Sequence, residues 1–284
     1  MAMNTAGVGV RGDPVRTTGT STDPILYALA VGAGGIDPVD ELGFTTDDSA
    51  GVSQRVLPTF GVVLGGTNPS VSHVFRGIDP NTFVHAGQQL VCHHEIPPAG
   101  DIEVVGWVEA VWDKGQAALA EYITEGRFVD GGEPLFTSTA MVMIMGAGGF
   151  GGDRGPSAPT SVPGGPPDAE ITYRTRPEQA LLYRLTGDRA RHNSDPKAAT
   201  EAGFTRPILH GLCTYGFAGR ALLHAVCGSD PARFGSMSCR FTSPVFPGED
   251  LVTRIWNRGD QWAFSVTAGD DRLVPSAGQF TLRW

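Results

Sequence analysis

The segment DRARHNS at 188–194 brings a carboxylate (Asp188), an imidazole (His192) and an amide (Asn193) into one short stretch. Gly187 before it reads as a helix stop, and Asp195-Pro196 after it as a helix cap, so the stretch between is an irregular, partly exposed loop. It leads toward His210-Gly211, where a long apolar helix begins and the first backbone N–H groups lack intrahelical acceptors. Such a helix start stabilises developing negative charge, including the enolate oxygen of a thioester. A carboxylate, an imidazole or amide beside it, and an oxyanion-binding helix start are the parts needed to add or remove water next to a carbonyl. Each part also has an ordinary reading. An Asp after a helix-ending Gly commonly serves as a turn residue, and a lone His such as His210 as a capping or core histidine.

The elements that must position this loop are legible around it. Pro177 opens a short helix that stops at Gly187, and Asp195 caps another that ends by Gly203. HGLCTYGFAGRALLHAVC (210–227) is apolar nearly all round, as expected of a helix buried against a curled sheet. Strand patterns follow at 236–242, 250–257, 261–268 and 277–283, parted by turns at Pro247-Gly248, Arg258-Gly259-Asp260 and Gly269-Asp270-Asp271. An earlier meander occupies 101–112, 117–129 and 137–145, with turns at Asp113-Lys114-Gly115 and Asp130-Gly131-Gly132.

Both halves also begin alike. TSTDPILYALAVGAGG (20–35) is similar to RTRPEQALLYRLTGD (174–188), RVLPTFG (55–61) to RPILHGL (206–212), and VHAGQQLV (84–91) to VFPGEDLV (245–252). Three landmarks in one order predict a tandem duplication of an α+β unit, in which an antiparallel meander wraps a central helix. The expected division is 1–147, a Gly/Pro-rich linker at 148–168, and 169–284. In the first unit Pro58 replaces the His210 equivalent, and Gly65, Gly66 and Pro69 follow. Its central helix should be short or missing, leaving an open groove and no chemistry of its own.

Composition narrows the function classes. The 284 residues include 39 Gly and 21 Pro, which excludes a helical bundle, and 40% are hydrophobic, enough for a real core. A net charge of −9 disfavours nucleic acid as a partner. No apolar run is long enough for a membrane helix, and MAMNTAGVGVRGDP lacks the features of a secretory signal, so the cytosol is the expected compartment. Cys92, Cys213, Cys227 and Cys239 show no paired spacing and read as buried thiols. Cys92, His93 and His94 have no second ligand cluster, so no metal is expected, and His85 reads as structural. GAGGFG (146–151) fits a dinucleotide-binding glycine pattern, but prolines follow where a helix must open, which rules that reading out.

YRLTGDRARHNSDPKAATEAGFTRPILHGLCTYG (183–216) resembles the signature of the MaoC-like, hydratase-2 family of (R)-specific 2-enoyl-CoA hydratases: Gly-Asp-x-Asn-Pro-x-His-x-Asp-Pro, then Pro-Ile-x-His-Gly-Leu. The likeness runs through FTSPVFPGEDL (241–251) and GGFGGDR (148–154), and more faintly through VLPTFG and VHAGQQL. It implies an α+β fold of tandem double-hotdog type, acting on acyl-CoA with no dissociable cofactor, since CoA arrives with the substrate. The family pairs an Asp with a His five residues on. Asp188 holds the first place, Asn193 stands in the second with His192 one position early, and the family Asn falls on Ala190. Three arrangements follow: Asp188 alone as base with Asn193 orienting the water, His192 turning in, or a site that holds acyl-CoA without turnover, as in a subunit partnering an active hydratase. The resemblance further implies Gly211 as oxyanion donor and His210, Gly149, Gly151 and Arg154 near the CoA groove. Arg189 and Arg206 are available to the CoA phosphates, a bulky acyl group fits the open groove, and exposed sheet edges suit a homodimer.

Overall fold

The computed structural model describes residues 5–64, 74–75, 77–79, 82–129, 132–156 and 162–283. The first half runs β1 (Val15–Gly19), α1 (Thr22–Ala30), α2 (Leu42–Thr45), α3 (Gly61–Leu64), β2 (Phe83–Cys92), β3 (Gly100–Asp113), β4 (Ala117–Phe128) and β5 (Pro134–Met145). The second runs β6 (Ala169–Arg174), α4 (Gln179–Tyr183), α5 (Pro196–Glu201), α6 (Gly211–Ala225), β7 (Phe234–Phe241), β8 (Asp250–Asn257), β9 (Trp262–Ala268), β10 (Arg272–Leu273) and β11 (Pro275–Leu282). Period-two patterning builds the strands: on β8, Leu251, Thr253 and Ile255 are buried while Val252 and Arg254 between them are not.

All the strands join in one antiparallel sheet ordered β1-β3-β4-β5-β2-β7-β11-β9-β8-β6, with β10 paired to β9. The half-order β1-β3-β4-β5-β2 is matched element for element by β6-β8-β9-β11-β7, so the duplication is visible as topology. The halves meet where β2 pairs with β7, from Gly87 opposite Arg240 to Val91 opposite Ser236. This order corrects one sequence landmark. VHAGQQLV lies in β2, whose counterpart is β7, whereas VFPGEDLV runs through a turn into β8, whose counterpart is β3. The true match to Pro247-Gly248 is Pro98-Ala99-Gly100, the turn that enters β3. The two Gly-containing strand starts looked alike because both place a small residue where a strand begins.

The leading helices do correspond. Tyr27 of α1 and Tyr183 of α4 meet edge to face with centroids 6.2 Å apart, both fully buried at the junction. Beneath them lies α6, buried along nearly its whole length as its apolar sequence predicts. Its close approach to the first half depends on two glycines. A Cβ on Gly216 would strike Val31 and the Tyr27 hydroxyl (2.8 Å), and one on Gly219 would strike Thr59 Cγ2 (2.5 Å). The same face carries a buried cross-link: Arg220 donates Nε and Nη2 to the Glu41 carboxylate at 3.0 and 2.6 Å, and His224 Nε2 lies 3.0 Å from it.

The first half has no counterpart of that long helix among the described residues. Pro58–Phe60 forms a 3-10 turn and α3 adds a single helical turn. The glycine and proline break at Gly65, Gly66 and Pro69 lies outside the described residues, as do Asp130, Gly131 and 157–161 of the linker. The described linker is docked: Trp256 Nε1 donates to the Gly165 carbonyl at 3.1 Å, and Asn257 N to Asp168 at 2.7 Å.

Candidate active site

The loop after α4 is shaped by three local devices. Gly187 takes φ +129°, a region that suits glycine, and turns the chain out of the 3-10 turn Arg184–Thr186. Asp188 follows, exposed, with its Oδ1 accepting the Ala190 N–H at 3.1 Å. A second 3-10 turn, Arg191–Asn193, then ends at the Asp195 cap, whose carboxylate accepts Lys197 N at 2.9 Å as α5 begins. Asn193 is thereby turned inward and buried, and donates its amide to the Ile208 carbonyl at 2.9 Å. His192 is half-buried, its ring 6.0 Å from that of Phe204.

His210, the residue before α6, closes the arrangement. Its Nε2 lies 3.3 Å from the Asp188 carbonyl; a carbonyl only accepts, so Nε2 is the protonated nitrogen. Its ring packs 4.9 Å from Tyr183, and its Nδ1 is buried without a hydrogen-bond partner among the described residues. Gly211 and Leu212 follow with N–H groups that the helix cannot satisfy internally.

These residues line one cavity of about 760 Å³. The second half supplies Asp188, Arg189, His192, Asn193, His210, Gly211 and Phe241; the first half supplies Val62, Val63, Phe83, Val84, His85 and Val142. No salt bridge among the described residues holds the Asp188 carboxylate. Burial lowers all three imidazoles below their ordinary range, while Asp188 pulls each back up. His210 is lowered further by His192 and Arg184. Near neutral pH the three imidazoles of the site are therefore uncharged.

The MFE-2 hydratase 2 N-terminal domain matches residues 18–146, and the MaoC like domain matches 159–273. The 3-hydroxyacyl-thioester dehydratase Y of Mycobacterium tuberculosis is 42% identical over 90% of this chain and 88% of its own length. Enoyl-CoA hydratase ChsH3 of the same organism is 39% identical over 92% and 91%. This chain belongs to the MaoC-like hydratase family. A MaoC-like dehydratase from Phytophthora capsici superimposes with TM-score 0.81 at 29% identity, covering 96% of this chain and 95% of that one. The fold is the double hotdog.

In this cavity the structure brings together Asp188, His192, Asn193, His210, Gly211 and Arg189, and the other expected residues lie outside its wall. Gly149 and Gly151 lie outside the cavity wall, and their N–H groups are taken by the Asp113 carboxylate at 2.9 and 2.8 Å. Arg154 is exposed beyond them, with its carbonyl accepting Lys114 Nζ. Arg206 also lies off the wall, stacked 4.8 Å over the Phe246 ring. Of the rejected metal candidates, Cys92 is buried, His93 bonds Thr137 at 3.0 Å and His94 bonds Glu133 at 2.9 Å. His85, expected to be structural, instead faces the cavity. A register shift between His85 and Gly87 re-aims it, and a bulge of that kind leaves no mark in the hydropathy pattern.

Proposed function

We propose that this chain is an (R)-specific 2-enoyl-CoA hydratase, adding water across a trans-2-enoyl thioester to give the 3-hydroxyacyl product. The observation that carries the reading is Asp188, exposed at a cavity that also receives the N-terminus of α6 and held by no arginine among the described residues. The names of the two mycobacterial relatives, a dehydratase of 3-hydroxyacyl thioesters and an enoyl-CoA hydratase, describe the two directions of one such reaction. Asp188 polarises the water, the Gly211 N–H takes the charge that develops on the thioester oxygen, and Asn193 and His192 flank the water position. Arg189 at the rim suits a CoA phosphate. The apolar wall of Val62, Val63, Phe83 and Val142 favours a long or branched acyl chain over a short one.

A second reading, an acyl-CoA-binding subunit without turnover, is favoured by one feature: the Asn193 amide does not titrate near neutral pH, where the family keeps an imidazole. Following the absorbance of the conjugated thioester for a series of enoyl-CoAs separates the two. Wild-type turnover that falls about 10²–10⁴-fold in Asp188→Asn supports the hydratase. Binding with no turnover supports the subunit, and a preference for crotonyl-CoA over longer or branched substrates contradicts the acyl assignment.

A further inference from the structure

Asp188 faces three imidazoles, and two have evident local duties. His210 holds the Asp188 carbonyl, and His192 shares the Arg191–Asn193 turn and packs beside Phe204. His85 comes from the other half of the chain. It sits on β2 next to the register shift, its ring meets Phe241 edge to face at 5.1 Å, and its Nε2 is buried without a hydrogen-bond partner among the described residues. A buried polar atom left unpaired costs about 1–3 kcal/mol, so a bound molecule in the cavity is its natural partner. The Asp188 loop lacks a matching proton carrier, because the Asn193 amide neither takes up nor releases a proton near neutral pH.

We propose that Nε2 of His85 carries the proton in the hydration step, in place of the imidazole missing at Asn193; this rests on the hydratase reading above. As the Asp188-held water forms its bond to C3, one water proton passes to Nε2. The C2=C3 electron pair moves into the carbonyl, leaving an enolate oxygen against the Gly211 N–H. The enolate then re-forms the carbonyl as C2 takes that proton from His85. Water's hydroxyl ends on C3 and its proton on C2, with no other reactant required. Asp188 stabilises the transient imidazolium, and Tyr183, His192, His210 and Arg189 are the other titratable or charged lining groups. Burial keeps His85 uncharged near neutral pH, against the upward pull of a hydrogen bond with the Gly87 backbone, the Asp188 charge and a hydrogen bond with Gln88.

The test compares the purified full chain with His85→Gln, His192→Gln, Asp188→Asn and His85→Gln/Asn193→His, following enoyl-CoA hydration from pH 5 to 9. In His85→Gln, kcat should fall about 10²–10⁴-fold with KM little changed, and the acid limb of the kcat profile should disappear. The double variant should regain at least about tenfold, because it returns an imidazole to position 193 on the Asp188 loop. If thermal melting shows His85→Gln unfolded, His85→Asn takes its place with the same readings. A His85→Gln kcat within about tenfold of wild type, or a larger loss in His192→Gln, overturns the proposal while Asp188→Asn still reports on the hydratase reading. A wild-type chain that hydrates no enoyl-CoA overturns both.

Discussion

Asn193 donates its side-chain amide to the carbonyl of Ile208 at 2.9 Å, and the Ile208 N–H donates to the His192 carbonyl at 3.4 Å. These two bonds staple the loop that begins at Asp188 to the segment that enters α6, and so set the separation of the carboxylate from the Gly211 N–H. Asn193 therefore works as a strut at the position where the family motif places its imidazole. An amide suits that duty because one N–H is spent on the backbone while the carbonyl oxygen remains for a neighbour.

Asn193→Leu keeps the volume and removes the bond. The half-buried Ile208 carbonyl then loses its partner, which costs about 1 kcal/mol or somewhat more and lowers Tm by several degrees in a thermal melt. Hydration should fall further than the melt alone explains, because Asp188 is released from its place relative to α6. Unchanged kcat with a lowered Tm would confine Asn193 to stability.

Glu41 provides a prediction in pH. Burial pushes its carboxyl up, but hydrogen bonds from His224 and Arg220, the Arg220 charge and the Gly34 N–H outweigh it and hold the group at about 2. A carboxyl lowered on folding adds stability that is fully present above its unfolded pKa and is lost as pH falls toward the folded value. Stability from this group should hold down to about pH 5 and then decline toward pH 2, by roughly 3 kcal/mol in total. Glu41→Gln should flatten that decline in urea titrations. At neutral pH the same substitution leaves Arg220 buried without its countercharge and costs about 3–5 kcal/mol.

The parts of this fold that the sequence exposes are those written in short-range pattern. The long apolar run became α6, Asp195-Pro196 became a capped helix start, and seven strands fell where alternation placed them. β1 and β6 were missed because each is short and sits at a sheet edge, with alternate residues exposed and none fully buried. The Asp188 loop was legible because a glycine stop and a proline cap bracket it. His85 was not, since its place in the cavity follows from β2 pairing with β7, a contact between residues about 150 positions apart. The place of Gly149 and Gly151 was hidden for the same kind of reason: Asp113, more than 30 positions earlier, claims their N–H groups.

The junction predicts sensitivity at α6. Gly216→Ala places a methyl against Val31 and the Tyr27 hydroxyl, and Gly219→Ala places one against Thr59, in a region with no spare volume. Overpacking of that kind costs about 1–3 kcal/mol. Both variants should shift the urea midpoint downward without changing the slope. Gly248→Ala, whose added Cβ meets nothing within 4 Å, reports instead on the strain of its φ of +95°. Equal midpoints for Gly216→Ala and wild type would mean that the halves separate more easily than their packing implies.

Asp113 tests what the glycine stretch does. Its carboxylate accepts N–H groups from Gly149, Gly115 and Gly151, which hold it below the usual carboxylate range and latch the chain leaving β5 against the end of β3. Asp113→Ala removes the acceptor for all three while touching nothing in the cavity wall. Trypsin should then cut after Arg154, which is already exposed, at least about tenfold faster, as expected when local opening limits cleavage. If the stretch is a latch, KM for an enoyl-CoA should stay within about threefold of wild type, since no uniform binding has been removed. A large rise in KM with unchanged cleavage would return Gly149, Gly151 and Arg154 to the CoA groove, because it would show the loop contributing to binding without having come loose.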